Sequence, residues 1–142
     1  EVQYMKVVEI QKDDWMLLSE KAHLIVFNEA KMAATDRIDF ALVTENSRGE
    51  LMNYVTCREL DSESLYWQYG GSFPGTKGSI LSLRAVQALL EYCKSAGYAR
   101  VGFFVENTNS AMLKMAMKCG FLITGVRNFK GIILLEHYLE FA

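Results

Sequence analysis

The segment that most constrains the fold runs from Ser64 to Glu106. Its first part, Ser64–Phe73, is rich in aromatic residues, as β-strands often are. A glycine-rich stretch, Gly70–Gly78, leads into a predicted helix. The apolar residues of that helix recur at spacings of three and four: Leu83, Val86, Leu90 and Cys93. Arg100–Glu106 follows and is apolar on both faces, as expected of a central strand. The order strand–helix–strand predicts a right-handed crossover between two parallel strands.

The flanking segments complete the sheet. Asp13 and Asp14 precede apolar residues at helical spacing and predict a first helix. The remaining predicted elements, in chain order, are a short helix over Asn28–Ala34, strands over Asp39–Glu45 and Glu50–Glu59 joined by the turn Asn46–Gly49, a helix over Asn109–Cys119 closed by Gly120, and a hairpin of Phe121–Arg127 and Ile132–Phe141. Gly97 is placed to end the helix after Leu83.

Composition narrows the class of protein. With 142 residues, 51% of them hydrophobic and 23% charged, the chain fits one domain spanning 1–142. A net charge of -2 argues against broad nucleic-acid binding, which needs a basic face. No apolar stretch is long enough for a membrane span. An odd set of three cysteines in apolar settings favours reduced thiols and a cytoplasmic location: Cys57, Cys93 and Cys119. His23 and His137 lack metal-ligand spacing, so no metal is expected.

The glycine-rich loop is the main candidate for binding a phosphate, since glycines allow close approach to the N–H groups that begin a helix. The alternative is a turn that simply needs glycine. A P-loop requires Lys where Thr76 stands, and the glycines do not fall in a dinucleotide-binding pattern. With these two motifs excluded, the remaining interpretation is a pyrophosphate-binding loop midway along a small mixed sheet.

Two motifs and the order of elements resemble the GNAT superfamily of N-acetyltransferases. The first motif is the loop and helix from Gly75 to Cys93. The second is Asn109 followed eleven and twelve residues later by Gly120 and Phe121, a spacing common in that family. The resemblance implies an α/β fold: a single GNAT-like domain with a mixed central sheet of about six to seven strands, flanked by helices and splayed at the acetyl-CoA loop.

The resemblance also implies acetyl-CoA as the co-substrate. The residues expected to bind it are Gly71, Ser72, Phe73, Gly75, Thr76, Lys77, Gly78, Ser79 and Asn109. The chain departs from the family pattern at three positions: Gly75 replaces an Arg or Gln, Ile80 replaces a small residue, and Ala116 stands where a Tyr commonly protonates the leaving thiolate.

The implied chemistry is direct acetyl transfer to an amine acceptor. A backbone N–H within Tyr69–Ser72 would stabilise the oxyanion, and Gly70–Gly71 is a candidate for the bulge that splays the strands. Glu63 and Glu106 are candidate bases. The alternative for Glu63 is a carboxylate of the turn Asp61–Glu63, and the alternative for Glu106 is a solvated charge at the end of a strand. A water relay is a further alternative to both. Tyr66 or Tyr69 could supply the missing acid, although strand tyrosines often only pack. A domain that binds CoA or a partner protein without turnover is the rival function, and a homodimer is an open expectation.

Overall fold

Seven strands form one mixed sheet in the order β1-β2-β3-β4-β5-β7-β6. The structure, a computed structural model, describes residues 5–21, 38–73 and 82–141. Their elements in chain order are β1 (Lys6–Gln11), α1 (Lys12–Lys21), β2 (Phe40–Glu45), β3 (Leu51–Glu59), β4 (Ser64–Ser72), α2 (Leu83–Ser95), β5 (Arg100–Glu106), α3 (Ser110–Lys118), β6 (Leu122–Phe129) and β7 (Ile132–Glu140).

The predicted crossover is confirmed. β4 and β5 lie side by side and parallel, while the other neighbouring strands of the described sheet are antiparallel. α2 connects β4 and β5 in the chain. β5 lies between β4 and β7, the central position that its sequence predicted. Its residues Val101, Phe103 and Val105 are buried in the core, whereas Phe104 on the opposite face is half-buried.

Hydrophobic clusters cover the two faces of the sheet. The larger cluster joins the sheet to α2 and α3 through residues such as Leu65, Leu89, Val101 and Met115. The smaller one places Trp15 of α1 against the other face, with Ala41, Val43 and Phe73 as neighbours. Because successive strand residues point to opposite faces, Leu42 belongs to the first cluster and Ala41 and Val43 to the second. The two faces are called below the α2/α3 face and the α1 face.

Most predicted boundaries agree with the structure to within a few residues. Gly97 follows α2 and Gly120 follows α3, both at positive φ. The last hairpin is longer than predicted, because Phe129 pairs with Ile132. Lys130 (φ 51°) and Gly131 (φ 84°) then form the two-residue turn with positive φ at both positions that suits twisted hairpins. The helix predicted over Asn28–Ala34 lies outside the described residues.

Candidate functional site

β4 and β5 separate partway along their length. They pair at Ser64–Arg100, Leu65–Val101 and Tyr66–Gly102, and no further pair follows. On its other side β4 contains a bulge: Cys57 pairs with Trp67 and Thr56 with Tyr69, so Gln68 is the additional residue. A bulge bends its strand and increases the local twist. The bulge comes directly after the last β4–β5 pair, and the two strands diverge from there.

The prediction that Gly70–Gly71 forms this bulge is wrong. Both glycines pair regularly with β3, Gly70 with Val55 and Gly71 with Tyr54. Gly71 instead makes room for an aromatic ring, since a Cβ there would lie 3.0 Å from Tyr54 Oη. That ring packs 5.1 Å from Trp15 and 5.5 Å from Phe73, measured between centroids.

A cleft of about 600 Å³ fills the gap between the separated strands. It is lined from both faces of the sheet. Trp67 and Phe103 belong to the cluster on the α2/α3 face, so the adjacent Tyr66 and Phe104 project from the α1 face. On the α1 face the lining includes Tyr66, Tyr69, Phe104, Glu106 and Leu134; on the α2/α3 face it includes Trp67, Phe103, Val105, Asn109 and Met112. The cleft therefore passes through the sheet.

The backbone of β4 directs one N–H toward the cleft. Tyr69 N donates to Thr56 Oγ1 (3.0 Å) and Phe73 N donates to Met52 O (2.9 Å), so both point toward β3. N–H groups alternate between the two sides of a strand in an antiparallel ladder. Gly70 therefore directs its N–H away from β3, toward the side from which β5 has diverged, and Gly70 lines the cleft.

The two candidate carboxylates lie at different places. Glu106 is the last residue of β5, is exposed, and lines the cleft. Glu63 precedes β4 at the end where β4 and β5 still pair. It is exposed, its carboxylate lies 3.8 Å from the Arg100 guanidinium, and it is absent from the cleft lining. The structure brings Glu106 together with Tyr69 and leaves Glu63 in a surface ion pair.

The two strand tyrosines both line the α1 face of the cleft. Tyr66 packs against Phe104 with ring centroids 6.1 Å apart. Burial raises the pKa of the Tyr66 phenol above its usual value of 10.0, and the neighbouring Tyr69 raises it further. Its hydroxyl therefore keeps its proton at neutral pH.

Comparison with known proteins rests on structure. The sequence matches no family model and no curated protein. The IAA acetyltransferase of Bacillus cereus superposes with a TM-score of 0.73 at 15% identity, covering 97% of this chain and 100% of that one. A spermidine N-acetyltransferase of Vibrio cholerae gives 0.71 at 13% identity, with 96% and 93% covered. A protein described as a putative phosphinothricin N-acetyltransferase gives 0.68 at 15% identity, with 98% and 99% covered.

The chain has the GNAT fold. The fold class expected from the sequence, a mixed sheet of about six to seven strands flanked by helices, is thereby confirmed.

In this GNAT fold, α3 presents an amide rather than a phenol to the cleft. Asn109 caps α3: its Oδ1 accepts from Met112 N at 3.2 Å. Asn109, Met112 and Ala116 share one helical face. The first two line the cleft, whereas Ala116 is only 2% exposed and packs in the core beside Met115. Ala116, which the sequence resemblance aligns with a family tyrosine, therefore presents no acid group to the cleft.

Three of the predicted cofactor-binding residues lie before the loop, and each contacts other residues of the protein. Gly71 is buried beneath Tyr54, Ser72 Oγ accepts from Asn53 Nδ2 (3.0 Å), and the Phe73 side chain packs in the cluster on the α1 face. Their side chains do not line the cleft. The other predicted loop residues, Gly75, Thr76, Lys77, Gly78 and Ser79, lie outside the described residues.

Several lining residues did not stand out in the sequence as parts of a site. They are Trp67, Phe103, Phe104, Val105, Met112 and Leu134. The apolar residues on both faces of β5 predicted a buried strand. They did not indicate that β5 pairs with β4 over only part of its length. Trp67 immediately precedes the bulge, whose position depends on how β4 pairs with β3.

Among the described residues, no group of histidine, cysteine or acidic side chains could hold a metal ion. His137 is buried against Phe103, with 5.4 Å between the ring centroids. Nor does the described part of the chain contain a helix long and apolar enough to cross a membrane.

Proposed function

We propose that this protein is an acetyl-CoA-dependent N-acetyltransferase that transfers acetyl directly to a primary amine of a small molecule or protein. The observation that carries the proposal is the cleft through the sheet between β4 and β5. A cleft lined from both faces lets a thioester enter from the α2/α3 face and an amine meet it from the α1 face. The GNAT fold and the activities named for its structural neighbours support the same reaction class.

Direct transfer needs a donor for the oxyanion. The amine nitrogen attacks the thioester carbonyl carbon, a C–N bond forms, and the carbonyl oxygen becomes negatively charged. We assign Gly70 N–H to this oxygen, because it points away from β3 at the cleft. A fixed backbone donor costs no reorganisation during the reaction. Collapse of the intermediate breaks the C–S bond and releases the thiolate.

Two protons must also move. We assign Glu106 to receive the proton lost by the amine, directly or through a water, since it lines the face from which the amine approaches. Tyr69 or Tyr66 donates a proton to the leaving thiolate. With a thiol pKa of about 8.5, as for free cysteine, the leaving group needs little help at neutral pH. The absence of a tyrosine at Ala116 is then tolerable.

Binding of acetyl-CoA is the first test. A ligand that binds only the folded state raises the melting temperature with concentration. Acetyl-CoA should therefore stabilise the wild type, and Gly78→Asp should abolish the shift by placing a carboxylate in the predicted pyrophosphate loop. A shift that survives in Gly78→Asp would mean that the phosphates bind elsewhere.

Thiol release over a panel of amines is the second test, with two matched variants. Glu106→Gln should lower turnover by roughly two to four orders of magnitude, the usual contribution of a general base. Glu63→Gln, a surface carboxylate outside the cleft, should retain the wild-type rate. If both variants keep near-normal rates, a water relay removes the proton without Glu106.

A second candidate function is a domain that binds acetyl-CoA without turnover. Ala116 favours it, because no acid stands at the family's tyrosine position. This candidate predicts a thermal shift with acetyl-CoA and no thiol release above the background rate with any amine.

Two sequence predictions stay predictions. The cytoplasmic location is consistent with Cys57, Cys93 and Cys119, which are all free thiols. A homodimer is consistent with the edge strand β6, where Leu122, Val126 and Phe129 are exposed. Sedimentation at increasing protein concentration would measure the oligomeric state.

A further inference from the structure

An arginine lies beside the cleft on the α1 face with no acidic partner among the described residues. The Arg127 guanidinium sits over the Phe104 ring, 4.8 Å from its centroid. Phe104 lines the cleft. Arg127 forms no ion pair with a described carboxylate. Glu136 lies two residues from Leu134, the residue of β7 that pairs with Arg127.

Glu136 of β7 forms a hydrogen bond with a residue other than this arginine. Thr124 Oγ1 donates to Glu136 Oε1 at 2.7 Å. The carboxylate also lies over Gly125, where an added Cβ would meet Glu136 Oε1 at 3.3 Å. The register of β6 shifts at this point, between Ile123 and Gly125. Glu136 therefore bonds to Thr124, and Arg127 packs over the Phe104 ring.

Arg127 and Glu106 flank one apolar residue. Leu134 of β7 pairs with Glu106 of β5 on one side and with Arg127 of β6 on the other. Neighbouring strands lie about 4.8 Å apart, so the two charged residues are separated by roughly 10 Å at their Cα atoms. Both project from the face on which an acceptor would approach, and Leu134 lines the cleft between them.

A second arginine adds positive charge on the same face. Arg58 pairs with Tyr66 across β3 and β4. Arg127 and Arg58 both act to lower the pKa of the Tyr66 phenol, against the larger raising effect of burial. The Tyr66 phenol is therefore within electrostatic reach of both guanidinium groups.

We propose, given the N-acetyltransferase function above, that the acceptor is an amine that also carries a carboxylate, as an amino acid does. The amine faces Glu106, the carboxylate binds Arg127, and the apolar part of the acceptor covers Leu134 and Phe104. A guanidinium suits this role because its planar fork matches a carboxylate with two parallel hydrogen bonds.

The experiment compares acceptors that differ only in the carboxylate: amino acids, their primary amides and their decarboxylated amines. In a thiol-release assay the wild type should prefer the amino acids by roughly ten- to hundredfold in kcat/KM, the range for a hydrogen bond to a charged group. Arg127→Gln should remove most of that preference, and Arg127→Lys should keep part of it. Lys130→Gln is the matched control, since Lys130 also lies over a ring, Phe129 at 5.4 Å, but at the hairpin tip. It should behave as the wild type.

A binding measurement separates this inference from the proposed function. N-acetylated amino acids and N-acetylated amines are titrated calorimetrically into the wild type and Arg127→Gln. Preference of the wild type for the carboxylate ligand, lost in Arg127→Gln, supports the inference even if no amine is turned over. Equal affinity for the two ligands, or a preference unchanged in Arg127→Gln, overturns it while leaving acetyl transfer intact.

Discussion

Asn109 has two roles that single substitutions can separate. As the N-cap of α3 it accepts a hydrogen bond from Met112 N, and it also lines the cleft. Asn109→Ala should lower the free energy of unfolding by about 1 kcal/mol, the usual effect of losing a cap. Asn109→Ser keeps a capping oxygen and should cost much less. Urea denaturation of both variants measures the difference.

Affinity for acetyl-CoA then tests the second role. Both substitutions remove the side-chain amide nitrogen, so both should weaken acetyl-CoA binding in calorimetry to a similar extent. Wild-type affinity in Asn109→Ser would show that Asn109 serves only as a cap, and the cofactor role expected from the resemblance would be lost.

The sequence alone does not distinguish between the two candidate bases. Glu63 precedes β4 and Glu106 ends β5, and the sequence left both as candidate bases. They lie at different ends of the β4–β5 pair: Glu63 where the strands pair, and Glu106 where they have separated. The end at which the cleft opens is set by pairing between strands distant in sequence, and no local pattern encodes it.

At the scale of elements, Gly102 marks the last pair before β4 and β5 separate. The Tyr138 ring lies across it: an added Cβ would be 2.9 Å from two ring carbons and 3.2 Å from His137 O. Gly102→Ala should therefore destabilise the protein by roughly 1–3 kcal/mol, the usual cost of overpacking. Chemical denaturation gives the value.

Two further variants make this prediction specific. Gly125→Ala should cost less, because the nearest atom to its Cβ, at 3.3 Å, belongs to the flexible Glu136 carboxylate. In a double-mutant cycle, Tyr138→Leu should recover part of the loss in Gly102→Ala. Purely additive effects would mean that the Tyr138 ring is not what the new methyl group meets.

The elements themselves were largely predictable, and the bulge was not. Apolar residues on both faces identified β5, and helical spacing identified α2, because these patterns follow directly from burial. The glycine pair suggested a bulge, yet Gly71 is needed for the Tyr54 ring and the bulge falls at Gln68. A glycine signals close approach of some atom, but the sequence does not say which.

At the scale of the whole molecule, one sheet separates two hydrophobic clusters, and the larger one contains two cysteines. Cys57 of β3 and Cys93 of α2 are fully buried. Burial raises the pKa of the Cys93 thiol from 9.0 to about 12. It also raises the pKa of Cys57 well above 9.0, with Cys93 as the next cause. Cys57 and Cys93 are therefore core residues, and burial in the folded protein favours the protonated thiol at both.

This burial predicts how stability depends on alkaline pH. Above pH 9 the unfolded chain releases the Cys93 proton, whereas the folded protein keeps it until about pH 12. The unfolded state then binds fewer protons, so the free energy of unfolding falls as pH rises, by about 1.4 kcal/mol per pH unit for this thiol.

Cys93→Ala should lower stability at pH 7 by leaving a cavity. Its free energy of unfolding should nevertheless fall less steeply between pH 9 and 10.5 than that of the wild type, by about that slope. Cys119→Ala, at a half-buried thiol, should change the slope much less. Denaturation series under reducing conditions measure the three slopes. Parallel slopes for the wild type and Cys93→Ala would refute a buried, protonated thiol at this position.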